Sequence, residues 1–291
     1  MTRVAIIGAG RWGKNIITTL RDDATTIAYI AYSGSADTKA WLDTNCSDIP
    51  LTTDHEEVYK DQSVDVVIIA TPISTHVSLV RAALAAGKHV FVEKPLAATT
   101  ADVAELYATA QEKNLTLFTG YLYAYDPAFL MLTESLKDAS ELTIESVWEK
   151  YGTFDTPLVE NLLVHELALA THLLGTLSFG HIITQEKDIF VGDYVGERGT
   201  VHFRIDRTCN VRKKILTVRT TDTIYTLTPA RLTKKIGDAL EETLYEAMPD
   251  MLLKNELTTF FSEGAVGAAG NKKRQRIDES TAAVLEALPL E

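Results

Sequence analysis

Two side chains in this sequence are placed to move a proton. Lys94 follows the strand-like run His89-Val90-Phe91-Val92-Glu93 and precedes Pro95. His165 stands four residues after Asn161 in the apolar helical pattern Val159–Leu174. A lysine has an ordinary pKa of about 10.4; desolvation or a neighbouring positive charge lowers it by disfavouring the ammonium. So tuned, Lys94 can relay a proton or donate a hydrogen bond to a reacting oxygen. An imidazole, with an unperturbed pKa of about 6.5, is a general base at neutral pH. Residues four apart share a helix face, so Asn161 is expected beside His165, able to hydrogen-bond but not to supply charge.

The elements that must position these groups start at the N-terminus. Val4-Ala5-Ile6-Ile7 is an apolar run of strand length, and it ends in Gly8-Ala9-Gly10-Arg11-Trp12-Gly13, after which a helical pattern follows at once. In a Gly-x-Gly-x-x-Gly turn the first glycine allows the tight bend, the second leaves room for a pyrophosphate, and the third lets the helix pack closely on the sheet. The helix start then offers N–H groups and the positive end of its dipole to phosphates. A dinucleotide site is predicted here, with Gly8, Gly10, Arg11, Trp12 and Gly13 as its first contacts.

Strand and helix alternate through the first 120 residues: strands near Thr25–Tyr32, Val64–Ala70, His89–Glu93 and Leu115–Gly120, and helices near Trp12–Leu20, Ala36–Leu42, His76–Ala86 and Thr100–Glu112. This predicts an α/β fold with a doubly wound parallel sheet. Ser74 or Thr75 is expected to cap the helix from His76, and Gly87 to end it. From Glu141 strands dominate, at Leu142–Tyr151, His181–Val191, Thr200–Asp206, Lys213–Arg219 and Thr223–Leu227. Alternation such as Val201-His202-Phe203-Arg204-Ile205 predicts a large, mostly antiparallel sheet with one wet face. Helices are expected at Asp250–Ser262 and Glu279–Leu288, the last stopped by Pro289. The predicted division is residues 1–120 as the dinucleotide-binding domain and 121–291 as a second α/β domain.

The second strand ends in Ser33-Gly34-Ser35, where a carboxylate would accept a hydrogen bond from a free ribose 2′-hydroxyl. Hydroxyls do not repel a 2′-phosphate, Arg11 stands beside the phosphate turn and Lys39 is close by, so NADP is favoured over NAD. The alternative is that Ser33 and Ser35 only make the turn and cap the next helix. Tyr121, Tyr123 and Tyr125 lie just past the last parallel strand, where rings and hydroxyls suit a sugar or interdomain packing. Trp148 and Tyr151 read as sheet core or subunit contact.

Composition bounds the rest. The chain has 291 residues, 46% of them hydrophobic, with a net charge of −12. That charge opposes a general affinity for nucleic acid or anionic lipid. The basic run Lys272-Lys273-Arg274-Gln275-Arg276 is expected in a solvated loop. No apolar run reaches the roughly 18–20 residues of a membrane span, and no leader is visible before the first strand. Cys46 and Cys209 read as isolated thiols, so no metal site is expected and a cytoplasmic location is favoured.

Several blocks resemble the Gfo/Idh/MocA oxidoreductases: the glycine turn, Thr71-Pro72-Ile73-Ser74-Thr75-His76, and Ala85-Ala86-Gly87-Lys88-His89-Val90-Phe91-Val92-Glu93-Lys94-Pro95-Leu96. Gly120-Tyr121, Asp126-Pro127-Ala128, Asn161-x-x-x-His165 and Lys254-Asn255-Glu256-Leu257-x-x-Phe260 extend the likeness over most of the chain. The resemblance implies a Rossmann domain joined to an α/β domain whose open sheet makes a homodimer or homotetramer. It also implies NAD(P)-dependent hydride transfer at a secondary alcohol or ketone carbon of a sugar, cyclitol or sugar nucleotide. Thr71, Pro72, His76, Glu93 and Lys94 are then expected at the cofactor, and Lys94, Tyr121, Tyr123, Asn161 and His165 at the substrate. Lys94 and His165 would share the proton chemistry from opposite sides of a cleft.

Within the family the chain looks most like the sugar-nucleotide 3-dehydrogenases, in which a Trp-Asp-Leu-x-x-His run precedes an apolar helix. Here the run is Glu160-Asn161-Leu162-Leu163-Val164-His165, with Asn161 for the Asp and Ala168 where a later carboxylate would stand. Two alternatives stand beside the dehydrogenase reading: an imine or tetrapyrrole-type reductase on the same scaffold, and a catalytically silent dinucleotide-sensing regulator.

Overall fold

Short β-branched runs separated by amphipathic helices build the first unit as the alternation predicts. The computed structural model describes residues 2–23, 25–150, 156–246, 251–264 and 270–288. One unit comprises Met1–Gly120 with Glu256–Gln275; the other comprises Tyr121–Asn255 with Arg276–Glu291. Tyr151, Asp250 and Pro289 lie outside the described residues.

In the first unit, β1 (Arg3–Ile7), β2 (Thr26–Ala31), β3 (Leu51–Thr52), β4 (Val66–Ile69), β5 (His89–Glu93) and β6 (Leu117–Gly120) form a parallel sheet in the order β3-β2-β1-β4-β5-β6. The order reverses between β1 and β4, the switch point at which ligands bind such sheets. All four residues of β4 are buried, as a strand covered on both faces requires. The helices are α1 (Arg11–Asp22), α2 (Ala36–Asn45), the short α3 (Glu56–Lys60), α4 (His76–Ala85) and α5 (Thr100–Glu112). Thr75 occupies the N-cap of α4 without a side-chain cap bond. Its hydroxyl donates instead to the Pro72 carbonyl at 2.7 Å.

The second unit holds α6 (Pro127–Ser135), α7 (Val164–Leu174) and eight strands: β7 (Leu142–Glu149), β8 (Ser178–Glu186), β9 (Ile189–Gly196), β10 (Gly199–Asp206), β11 (Lys213–Arg219), β12 (Thr223–Leu227), β13 (Arg231–Ile236) and β14 (Glu242–Glu246). Their order is β14-β13-β12-β11-β7-β10-β9-β8, with β7 and β10 parallel and the other neighbours antiparallel. The single strand expected at His181–Val191 is instead a hairpin. Its Lys187-Asp188 turn lacks a glycine or proline signal and is held from outside, by Arg207. That side chain donates to the Asp188 carboxylate at 2.9 Å and to the Lys187 carbonyl at 3.1 Å.

Two helices close the described chain, α8 (Leu252–Gly264) and α9 (Asn271–Ala287). The basic run expected in a loop lies in α9, and Arg274 is buried. Asn271 and Arg274 serve the free edge of β6. The Leu117 N–H donates to Asn271 Oδ1 at 3.2 Å, Asn271 Nδ2 donates to the Leu115 carbonyl at 2.9 Å, and Arg274 Nε donates to the Leu117 carbonyl at 2.9 Å. An edge strand's unpaired backbone groups are thereby covered. Phe260 of α8 packs edge-on against Phe91 and Phe118, at 5.5 and 5.3 Å between ring centroids. These contacts tie Glu256–Gln275 to the first unit.

Candidate functional site

The glycine turn sits at the switch point of the parallel sheet. Gly8 has φ +103°, and a Cβ there would fall 2.4 Å from the Ala70 carbonyl oxygen. A Cβ on Gly13 would fall 2.1 Å from the Gly8 carbonyl oxygen, so α1 can approach β1 only without a side chain there. Around Gly10 a Cβ would meet nothing within 4 Å. The first and third glycines are filled against protein, while the second faces open space. Gly10 is also the N-cap of α1 and caps it with no side chain, so the first-turn N–H groups are left for an anion. These residues fit a dinucleotide pyrophosphate.

Around this cradle the expected cofactor residues divide. Arg11, Trp12 and Ser33 are exposed. Ser35 caps α2, accepting the Thr38 N–H at 3.5 Å. Lys39 is bound to Asp43 at 2.7 Å. Thr71 lies at the end of β4, its hydroxyl 2.7 Å from that of Thr75. Pro72 accepts from Thr75 through its carbonyl. His76 is buried, with Nδ1 2.8 Å from the Pro95 carbonyl and Nε2 2.8 Å from the Thr71 carbonyl. Both ring nitrogens are thus engaged with backbone, and His76 ties two ligand-edge loops together. Burial holds its pKa below the ordinary value, against the pull of the two carbonyls, and the Lys94 charge adds to the lowering.

Lys94 is half-buried directly beyond β5, and its bond to Pro95 is cis. Glu93 accepts a hydrogen bond from Trp12 Nε1. Burial pushes the Glu93 carboxyl up to about 7, although the Trp12 bond, the Lys94 charge and the Lys94 backbone N–H all draw it down. Gly120 stands beside Glu93 in the sheet, and a Cβ there would lie 2.8 Å from the Phe91 ring and 3.3 Å from Glu93 Oε1.

In the second unit, His165 is half-buried at the start of α7. The ring of Tyr123 meets it edge-on at 5.3 Å, and that of Trp148 lies at 5.8 Å. The same two rings carry the Lys214 ammonium, 4.2 Å from the Tyr123 centroid and 3.8 Å from that of Trp148, close enough for cation–π attraction. Lys214 donates to Glu166, and Ser146 donates to the other Glu166 oxygen at 2.5 Å. Burial lowers the Lys214 pKa, and Glu166 and Asp126 pull it back up. Tyr123 is pushed up to about 12 by burial and by those same two carboxylates. Tyr123, Asp126, Leu169, Lys214, Tyr245 and Asn255 line a cavity of about 120 Å³.

Two expectations for this unit change. Tyr121 is buried and its hydroxyl donates to Asp278 at 2.9 Å, which makes it a packing residue instead of an open substrate contact. The helix bearing Asn161 and His165 begins as a π turn over Val159–Leu163. A π turn is wider than an α turn, so four residues there do not complete a revolution and Asn161 is not simply one turn beneath His165. Sequence reasoning missed Glu166, Lys214 and Glu256. Lys214 had a signal: in a one-faced sheet, adjacent Lys213 and Lys214 cannot both face solvent.

Among the described residues, no helix is long and apolar enough to cross a membrane, and no group of His, Cys, Asp and Glu is arranged to hold a metal. Residues 2–121 match the profile of a family described as an oxidoreductase family with an NAD-binding Rossmann fold, that of Gfo, Idh and MocA. A myo-inositol 2-dehydrogenase of Thermotoga maritima is 30% identical over 138 residues, 47% of this chain and 41% of that protein. The uncharacterized oxidoreductase YrbE of Bacillus subtilis is 30% identical over 187 residues, 59% of this chain and 53% of that one. The chain thus spans about half the length of the curated relatives it matches. The fold is similar to that of the UDP-N-acetylglucosamine 3-dehydrogenase GnnA from Acidithiobacillus ferrooxidans, with TM-score 0.84, 19% identity, and 98% and 97% of the two chains covered. It is also similar to KijD10, a 3-ketoreductase from Actinomadura kijaniata solved with NADP and TDP-benzene, with TM-score 0.82, 16% identity, and 99% and 96% covered.

Proposed function

Taking as premise that residues 2–121 are the NAD-binding Rossmann domain of the Gfo/Idh/MocA oxidoreductase family, we propose that the chain is an NAD(P)-dependent dehydrogenase or reductase. Its substrate class is a sugar, cyclitol or sugar nucleotide, reacting at a secondary alcohol or ketone carbon. The observation that carries the reading is the open space at Gly10, at the same strand edge as Lys94. The Gly10 backbone and the N-terminus of α1 would hold the pyrophosphate, with Arg11 and Trp12 beside it. When bound, a nicotinamide dinucleotide supplies the hydride donor or acceptor.

The chain's own residues handle the proton. Lys94 exchanges it with the reacting oxygen at Nζ, and the His165 imidazole is the second proton-handling group, with Asn161 orienting the substrate. Tyr123 is the remaining ring offered to the sugar. Exposed Ser33 and Arg11 favour a 2′-phosphate, hence NADP, and support comes from the absence of a carboxylate at the end of β2. The exposed Phe179 and Ile183 of β8 support assembly through the open sheet into a dimer or tetramer.

Lys94→Ala should leave cofactor affinity within about twofold and lower turnover by 10²–10⁴-fold, measured at the nicotinamide absorbance band with activated and free sugars. Normal turnover by this variant would overturn the mechanism. Gly10→Ala should melt at an unchanged temperature yet bind the dinucleotide at least about tenfold more weakly, because its methyl enters the space the pyrophosphate needs.

A further inference from the structure

The end of β5 holds a second acidic group that the mechanism above does not use. Glu256, on α8, is 0% exposed, and neither of its carboxyl oxygens has a hydrogen-bond partner among the described residues. A buried carboxylate in that position would forfeit its hydration with no compensating contact. Its place follows from the ring contacts. Phe91 and Glu93 are two apart on β5 and so share a sheet face. Glu256 and Phe260 are four apart on α8 and so share a helix face. Phe260 packs on Phe91, so Glu256 stands one helical turn along from a residue packed on the Phe91 and Glu93 face of β5. The two are near enough for the Glu93 charge to act on Glu256, raising its pKa beyond what burial alone does. The other groups facing Glu93 are Trp12 from α1 and Lys94, the latter being the cation.

We propose that Glu93 and Glu256 form a proton-storing carboxyl pair that exchanges a proton with Lys94. The second half of this statement rests on the proton-handling reading of Lys94; the pair itself does not. Above about pH 7 the pair holds its remaining proton on Glu256 and carries its negative charge on Glu93. The proton that leaves a substrate hydroxyl binds the neutral Lys94 amine. An N–H bond of the resulting ammonium then breaks, and the proton binds a Glu93 carboxylate oxygen, so the pair passes from charge −1 to 0. Release to solvent restores it, and reduction runs the same transfers backwards. Glu256 keeps the station dry and, being neutral, adds no charge that would drive Glu93 out of the useful range. The charge on one carboxylate disfavours ionisation of the other.

The test is infrared spectroscopy of the full-length, cofactor-free protein through the carbonyl stretch of protonated carboxylic acids, with the ¹⁵N-labelled Trp12 indole followed in parallel. The Trp12 resonance should titrate near neutrality and lose that titration in Glu93→Gln. At about pH 9, where ordinary carboxyls are ionised, wild type should retain a protonated-carboxyl band and Glu256→Gln should lack it. Glu93→Gln should let Glu256 ionise at least about one pH unit lower, because the opposing charge is gone. Lys94→Met should raise the Trp12 midpoint, since the cation that favours the Glu93 anion is removed. Identical infrared bands in wild type and Glu256→Gln would overturn the pair, as would an unmoved second ionisation in Glu93→Gln. An unmoved midpoint in Lys94→Met would overturn the exchange with Lys94. Full turnover by Lys94→Ala would instead break the functional reading while leaving the infrared result intact, so the two fail separately. Glu93→Gln keeps the test decisive if Glu256→Gln does not fold.

Discussion

Glu166 and Glu256 are closed off from solvent to the same degree, at 1% and 0% exposure, yet their surroundings differ in kind. Glu166 accepts from the Lys214 ammonium and the Ser146 hydroxyl, and the ammonium lies against the Tyr123 and Trp148 rings. Glu256 has no such donor among the described residues, and the charge that acts on it is that of Glu93, of like sign. Burial alone therefore does not set the state of an acid. A cation and a second donor compensate the buried acid in one unit, and a like charge in a dry setting favours the proton in the other. The first arrangement fixes a wall beside His165; the second sets a neutral acid near Glu93.

Breaking the charged arrangement should have the largest effect. Lys214→Met leaves Glu166 buried without its cation and should cost about 3–5 kcal/mol in denaturant unfolding. Adding Glu166→Leu should restore most of it, since an apolar pair in place of a buried ion pair is often neutral or better. A loss under about 1 kcal/mol in the single variant would show that Glu166 is not held by Lys214, and the contrast would fail. The neutral arrangement should respond with the opposite sign. Glu256→Leu removes an unpartnered polar group and should raise stability by about 1–3 kcal/mol, seen as a higher melting temperature, at the expense of proton storage.

The smallest effect is a pH slope. The Glu93 carboxyl is pushed from 4.5 up to about 7 in the folded chain. As pH rises, the unfolded chain gives up this proton first, so the stability it contributes is complete below about 4.5 and is lost as pH climbs through about 7. Trp12 and Lys94 oppose the shift and keep the loss modest. Glu93→Gln should therefore flatten the fall in stability across that window, measured by chemical unfolding at several pH values. An identical slope in the variant would mean Glu93 titrates in its ordinary range.

Much of this was legible in the residues, for reasons that differ by region. The glycine turn could be read because each glycine answers a local demand: a positive φ at Gly8, a helix contact at Gly13, open space at Gly10. The alternation in Val201–Ile205 gave its sheet because period two is a property of the strand alone. What stayed hidden depends on partners distant in sequence. The turn at Lys187-Asp188 is made by Arg207. The buried face of Lys214 is set by its register opposite Trp148. Glu256 lies in a segment whose helical pattern shows which residues face inward but not that the Glu93 charge reaches one of them.

The cover on β6 bears on how the chain is made. Asn271 and Arg274 reach the edge of that strand across more than a hundred and fifty positions, so during synthesis the parallel sheet emerges from the ribosome with a bare flank and keeps it until residues 271 to 274 have been translated. A fragment cut after Gly120 would be frozen in that state, with a strand edge open to copies of itself.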